Sequence, residues 1–178
     1  MNKLSAIAIA VSFFAVCLFS DQCKAQPKNA GGQISLNGVE LSYQHSTGDS
    51  VFVDVNAGID FMDLLDGQTD TPGGKVRVTY NFIFFKKKYE SGDLSLYAGP
   101  GVLIGYIRNK GIFGPVLGIC GRFGLEFKFG SRPITFTADL MPALPAHMRS
   151  MGKYKSLDFF KDGLLYSLSP VLGIRYHF

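Results

Sequence analysis

From about residue 30 onward, apolar and polar side chains take turns along the chain. In "VFVDVNAGIDF" (51–61), Val51, Val53, Val55, Ala57, Ile59 and Phe61 share one parity, and Asp54, Asn56 and Asp60 share the other. Successive residues of a strand point to opposite faces, so a period of two is a strand pattern, whereas a surface helix repeats every 3.6 residues. The same rhythm recurs in "AGGQISL", "VELSYQHS", "KVRVTYNFIFF", "LSLYAGPGVLIGYIR", "FGPVLGICGRFGLEFKF", "PITFTADLMPAL" and the closing "SLSPVLGIRYHF". That makes eight strands and leaves no competing helical period.

The connections carry their own information. Asn37-Gly38 is a two-residue hairpin signal. Turns at 47–50, 87–93 and 130–132 fall at one end of an up-and-down meander; connections at 37–38, 62–73, 109–112 and 146–162 fall at the other. Two of these last four are long. Short turns at one end and longer loops at the other are the habit of outer-membrane barrels, with the short turns periplasmic.

The N-terminus is of another kind. "MNKLSAIAIAVSFFAVCLFSDQCKAQ" has Lys3, an apolar run from Leu4 to Phe19, and small residues at Cys23 and Ala25. This is the layout of a cleaved secretory signal, and the run falls short of the roughly 20 residues that a membrane-crossing helix requires. The expected division is a signal peptide over 1–25 and one domain over 26–178. "FAV" and "SDQ", which precede Cys17 and Cys23, fit a lipoprotein signal poorly. With Cys17 and Cys23 removed, Cys120 is left, and no internal disulfide can form. The net charge of +4 falls to +3 without Lys3, Lys24 and Asp21, a balance that does not call for nucleic acid.

Sorting the strands by parity separates two faces. One carries Val39, Leu41, Tyr43, Val76, Val78, Tyr80, Phe82, Phe84, Val102, Ile104, Tyr106, Leu117, Ile119, Phe123, Leu125, Phe136 and Leu140. The other carries five acids (Glu40, Asp54, Asp60, Glu126, Asp139) and five bases (Lys75, Arg77, Arg122, Lys128, Arg175) among Ser, Thr, Asn and Gly. A soluble barrel would turn the apolar face inward, and composition alone permits that. Three features favour the reverse. The apolar face is nearly uninterrupted and ends in aromatics, as lipid and its interfaces prefer. Gly58, Gly99, Gly101, Gly118, Gly124 and Gly173 sit on the polar face, where an eight-strand interior has little room. The charges balance in sign, as groups confined together must. The reading is an all-β, eight-stranded antiparallel transmembrane β-barrel whose ten ionic groups plug its lumen.

The strings "NGVELSYQHS", "VTYNFIF", "LSLYAGPGVLIGY", "GLEF…PITFTADLMP" and "GIRYHF" resemble the small outer-membrane β-barrel proteins of Bacteroidetes-type bacteria. The resemblance spans the chain beyond the signal and implies an outer-membrane barrel, usually without assigned activity. Unlike the pattern expected there, this chain has no Trp; Tyr and Phe can take its interfacial place. The last strand also resembles the signal read by the barrel-assembly machinery: Leu172, Ile174 and Tyr176 alternate toward a terminal aromatic, Phe178. An edge strand of that kind is open to strand addition.

Candidate chemistry is sparse. His45 and Ser46 in "QHS" could evoke the His/Ser pair of a lipid A deacylase, but adjacent strand residues face opposite ways and lie near a periplasmic turn. His177 falls on the lumen parity beside Arg175. "DGQTD" (66–70) lacks the later acid of a calcium loop; "YAGPGVLIGY" lacks the helix that phosphate binding needs. No cofactor, metal site or enzymatic activity is expected. The 146–162 stretch carries Arg149, Lys153, Lys155 and Lys161, which would suit lipopolysaccharide phosphates or an unidentified surface ligand. The expected role is structural or interactive, in a monomer at the outer membrane; a lipid-modifying enzyme and a narrow channel are the alternatives.

Overall fold

The structure, a computed structural model, describes residues 28–35, 38–60, 73–109, 112–151, 154–159, 168 and 170–178. The expected signal peptide, the 62–72 connection and the "DGQTD" segment lie outside them. Among the described residues there are ten strands: β1 (Lys28–Ser35), β2 (Gly38–Gly48), β3 (Val51–Asp60), β4 (Gly73–Tyr89), β5 (Gly92–Asn109), β6 (Ile112–Phe129), β7 (Ile134–Leu140), β8 (Ala143–Met151), β9 (Tyr154–Phe159) and β10 (Pro170–His177). All pairings are antiparallel, and β1 closes the sheet by pairing with β10, from Asn29 opposite His177 to Ser35 opposite Val171. The result is a closed barrel of eight staves, as expected.

The difference between ten strands and eight staves has a local cause. β7 and β8 run along the same partner, β6, in one unbroken register: Phe123 faces Leu140 and Cys120 faces Ala143. Pro142 interrupts the ladder because it has no N–H to donate, while its carbonyl still accepts from Gly121 N at 2.8 Å. β9 and β10 likewise share a stave, pairing with β8 and β7 respectively.

Two expected connections prove to be strand. The 87–93 stretch reads as a turn in the sequence; instead β4 continues through Lys87 and Lys88 to Tyr89, and only Glu90 and Ser91 turn. A bulge between Ile83 and Phe85 absorbs one residue, so Phe84 and Phe85 are both exposed outward. The 146–162 stretch was expected to be a long loop, yet β8 and β9 form a hairpin there, from Ala146 opposite Phe159 to Met151 opposite Tyr154. Charge had suggested a loop in both places. A strand that projects past the barrel can carry charge on both faces, because neither face is then committed to a core.

Face assignment follows the parity. Leu41, Leu172, Ile119 and Ile104 point outward and are 74%, 63%, 63% and 59% exposed. Glu40, Asp54, Arg77, Arg122, Asp139 and Arg175 point inward and are buried. Glycine clears the space. A Cβ on Gly124 would overlap Asp139 Oδ1 and stand 2.6 Å from the Tyr97 ring. One on Gly99 would run into the carbonyl of Tyr80.

Candidate functional site: the barrel lumen

Asp54 sits at the centre of the interior. It lies on β3 opposite Gln44 and Thr79 and is fully buried. Its Oδ2 is 2.7 Å from Arg122 Nη1 and 2.7 Å from Arg175 Nη2, so a single carboxylate oxygen separates two guanidinium groups. These arginines come from β6 and β10, across the barrel from Asp54. The contact is therefore a cross-brace between staves far apart around the wall.

Each arginine has further partners. Arg122 holds Asp139 bidentately, Nε to Oδ1 at 3.1 Å and Nη2 to Oδ2 at 2.6 Å, and Tyr97 OH donates to the same Oδ1 at 2.5 Å. The Arg122 guanidinium also lies 5.4 Å from the Tyr97 ring centroid. Arg175 donates from Nε to Ser42 Oγ and from Nη1 to Gln44 Oε1, both at 3.0 Å, with Glu126 Oε2 3.7 Å away. Ser42 Oγ in turn donates to Asp54 Oδ1 at 3.2 Å. With its amide oxygen turned toward the guanidinium groups, Gln33 accepts from Arg175 Nη2 at 2.6 Å and Arg122 Nη2 at 3.0 Å. Paired and hydrogen-bonded in this way, ionic groups tolerate removal from water.

A second cluster lies toward Gly38 on β2, where Glu40 is bonded by Arg77 and has Lys75 Nζ at 3.2 Å. Leu103, Val116 and Cys120 pack into an apolar cluster on the facing wall. Where β1 begins and β10 ends, His177 bridges Asn29 Oδ1 at 2.5 Å and Lys128 Nζ at 3.1 Å, and Asn29 donates to Gln44 Oε1 at 2.8 Å.

Of the ten charged residues singled out from the sequence, Glu40, Lys75, Arg77, Asp54, Arg122, Glu126, Asp139 and Arg175 are thus brought into two ionic clusters. Lys128 meets His177, and Asp60 ends β3 opposite Gly38 and Gly73. Arg149 and Lys155 pair with Ser156 and Ser150 in the β8–β9 ladder and so lie in strands; Lys153 and Lys161 lie outside the described residues. His45 and Ser46 stand opposite Val53 and Phe52, on opposite parities. Among the described residues, no group of His, Cys, Asp and Glu could hold a metal ion.

The interior also contains residues that sequence reasoning passed over. Phe52, Leu103, Val116, Met141 and Val171 are buried there, and Phe52 meets Tyr97 edge-on at 4.9 Å. The signal was present: Phe52 shares parity with Asp54, Met141 with Asp139, and Val171 with Arg175. Apolar identity hid them, because an apolar residue on the polar parity was not weighed against the pattern around it.

No family model and no curated protein sequence matches the chain. Among solved structures it is similar to the N-terminal β-barrel domain of Pseudomonas aeruginosa OprF, with a TM-score of 0.50 over 85% of this chain and 96% of that one. The two are 15% identical, a level at which the likeness concerns the fold. It extends over nearly the whole of that domain.

Chemically, the lumen is a brace. The carboxylates of Asp54 and Asp139 are committed to guanidinium groups, and Arg122 and Arg175 to several acceptors each.

Proposed function

We propose that this chain is an outer-membrane β-barrel protein with a structural or surface-interaction role and a plugged polar lumen. One observation carries the reading: the barrel is inverted relative to a soluble protein. Arg122, Arg175 and Asp54 are sealed inside, while a continuous belt of Leu, Ile, Val, Phe and Tyr faces out. In water such a belt would be an apolar patch far larger than a soluble monomer carries. In hydrocarbon it is well solvated, and the closed ladder leaves no edge to satisfy. Residues 1–25 serve as its cleaved export signal, and the lipids of the outer membrane, lipopolysaccharide included, are its surroundings.

Planar-bilayer recording tests the plug. Eight strands enclose only enough space for side chains, and Arg122, Arg175, Asp54 and Tyr97 occupy it. The purified barrel is expected to give no stable open-channel steps; steady, resolvable conductance would move the reading to a narrow channel. Lipid A of unchanged mass in cells with and without the protein is the matching expectation against a lipid-modifying enzyme.

The last strand supports a second element of the reading, recognition by the barrel-assembly machinery. Leu172, Ile174, Tyr176 and Phe178 all face outward, and Phe178 is tied by its backbone to Lys28 at 2.9 and 3.2 Å, where the barrel closes. Deleting Phe178 is expected to slow assembly and lower the yield of folded barrel in membranes. Normal rate and yield would reduce this residue to an ordinary wall position.

A further inference from the structure

At the end of the barrel where β1 begins and β10 ends, one sector of the rim is both aromatic and cationic. The outward face of β4 runs Tyr80, Phe82, Phe84 and Phe85, all exposed. Two residues on, about 7 Å along a strand, Lys87 takes the same outward parity opposite Leu94, with its ammonium 5.1 Å from the Tyr89 ring centroid. Lys86 and Lys88 flank it, and all three are exposed. Around the wall, Phe127, Phe129 and Phe136 form an edge-to-face run with centroids 5.0 and 5.6 Å apart, and the 130–133 turn between their strands carries the exposed Arg132. The acids at this end, Asp49, Glu90 and Asp93, lie in or beside the turns.

We propose that this sector binds the phosphate headgroups of anionic phospholipids in the leaflet at this end of the barrel. The inference rests on the membrane reading above. Aromatic rings settle at the boundary between hydrocarbon and headgroups. A lysine just beyond them lays its alkyl stem on the rings and extends its ammonium to the phosphate plane. Charge complementarity then selects the headgroup: a zwitterionic lipid offers a phosphate with its own cation attached, and an anionic lipid offers the phosphate alone. A soluble or polymeric anion would not need Lys87 on the lipid-facing parity, between Phe85 and Tyr89.

The full-length mature chain is placed in nanodiscs of equal phosphatidylcholine and phosphatidylglycerol, and the lipids it retains on ejection are counted by native mass spectrometry. The expected result at low salt is retention of phosphatidylglycerol over phosphatidylcholine. That preference should fall about fivefold for each cation removed in Lys87→Gln and Arg132→Gln. Raising the salt on the unaltered chain should reduce it in the same way, since exposed charges are screened; this reads the contact even where a variant folds poorly. Equal retention of the two lipids, or a preference that survives both the double variant and high salt, overturns the inference while leaving the membrane reading intact. Failure of the chain to enter nanodiscs overturns both. Sedimentation with peptidoglycan that is lost in the two variants, without a lipid preference, assigns the rim to that polymer's carboxylates and overturns it as well.

Discussion

Asp54→Asn is expected to lower the unfolding free energy of the barrel by about 3–5 kcal/mol, the cost of removing one partner from a buried ion pair. The side chain keeps its shape, so packing is not the cause. What changes is the field between Arg122 and Arg175, whose terminal nitrogens each stand 2.7 Å from the same Asp54 oxygen. Without that charge two buried guanidinium groups face one another. Arg122 retains Asp139, and Arg175 retains Ser42 and Gln44, so the barrel weakens without losing either side chain's anchor. Urea titration in lipid vesicles, followed by the gel shift between folded and unfolded forms, measures the loss. The double variant Asp54→Leu with Arg175→Met is expected to cost less than the two single changes added together, with a coupling of about 0.5–3 kcal/mol. A midpoint for Asp54→Asn within error of the parent would show that the brace carries no net stability.

Ile174→Arg probes the opposite face. Ile174 lies midway along β10, between Gly32 of β1 and Phe136 of β7, and is 53% exposed. In a bilayer that position faces hydrocarbon at mid-depth, where an arginine costs about 2–4 kcal/mol. The same replacement at Phe178, at the end of the wall, should cost about 0–1 kcal/mol. The gradient is the informative quantity. A soluble barrel would accept arginine at both positions with little change, because each side chain would then face water. Equal small effects at Ile174 and Phe178 in vesicles would therefore count against the membrane reading itself.

Much of this architecture was legible because strand side chains obey a strict two-residue period. Asp54, Asn56 and Val55 are sorted to opposite faces by position alone, and the same holds for Arg175 between Ile174 and Tyr176. The 130–132 connection was readable for a local reason too, since Gly130, Ser131 and the following Pro133 break the alternation. Strand ends were less so. Lys86, Lys87 and Lys88 look like a turn in sequence, yet they extend β4, because a strand that has left the core places no demand on polarity. The β8–β9 hairpin was hidden likewise, and Pro142 masked the continuity of the stave before it. Burial of Phe52 and Met141 in the polar interior was missed although parity placed them there.

The alternation of this sequence determined that the domain is built of strands, how many staves it needs, and which residues travel together on a face. Those are local properties, set by the geometry of the extended backbone. Alternation alone does not determine which face lies inside, since the same pattern serves a soluble barrel with an apolar core; the charge balance, the glycines and the aromatic ends pointed to a polar interior. Closure of the sheet decided it. Only when β1 meets β10 do Asp54, Arg122 and Arg175, remote from one another along the chain, come within 2.7 Å contacts, and their charges can neutralise one another only in that enclosed space. The glycines that clear this space and the arginines that fill it are written in the sequence one residue at a time, but their complementarity exists only across the lumen.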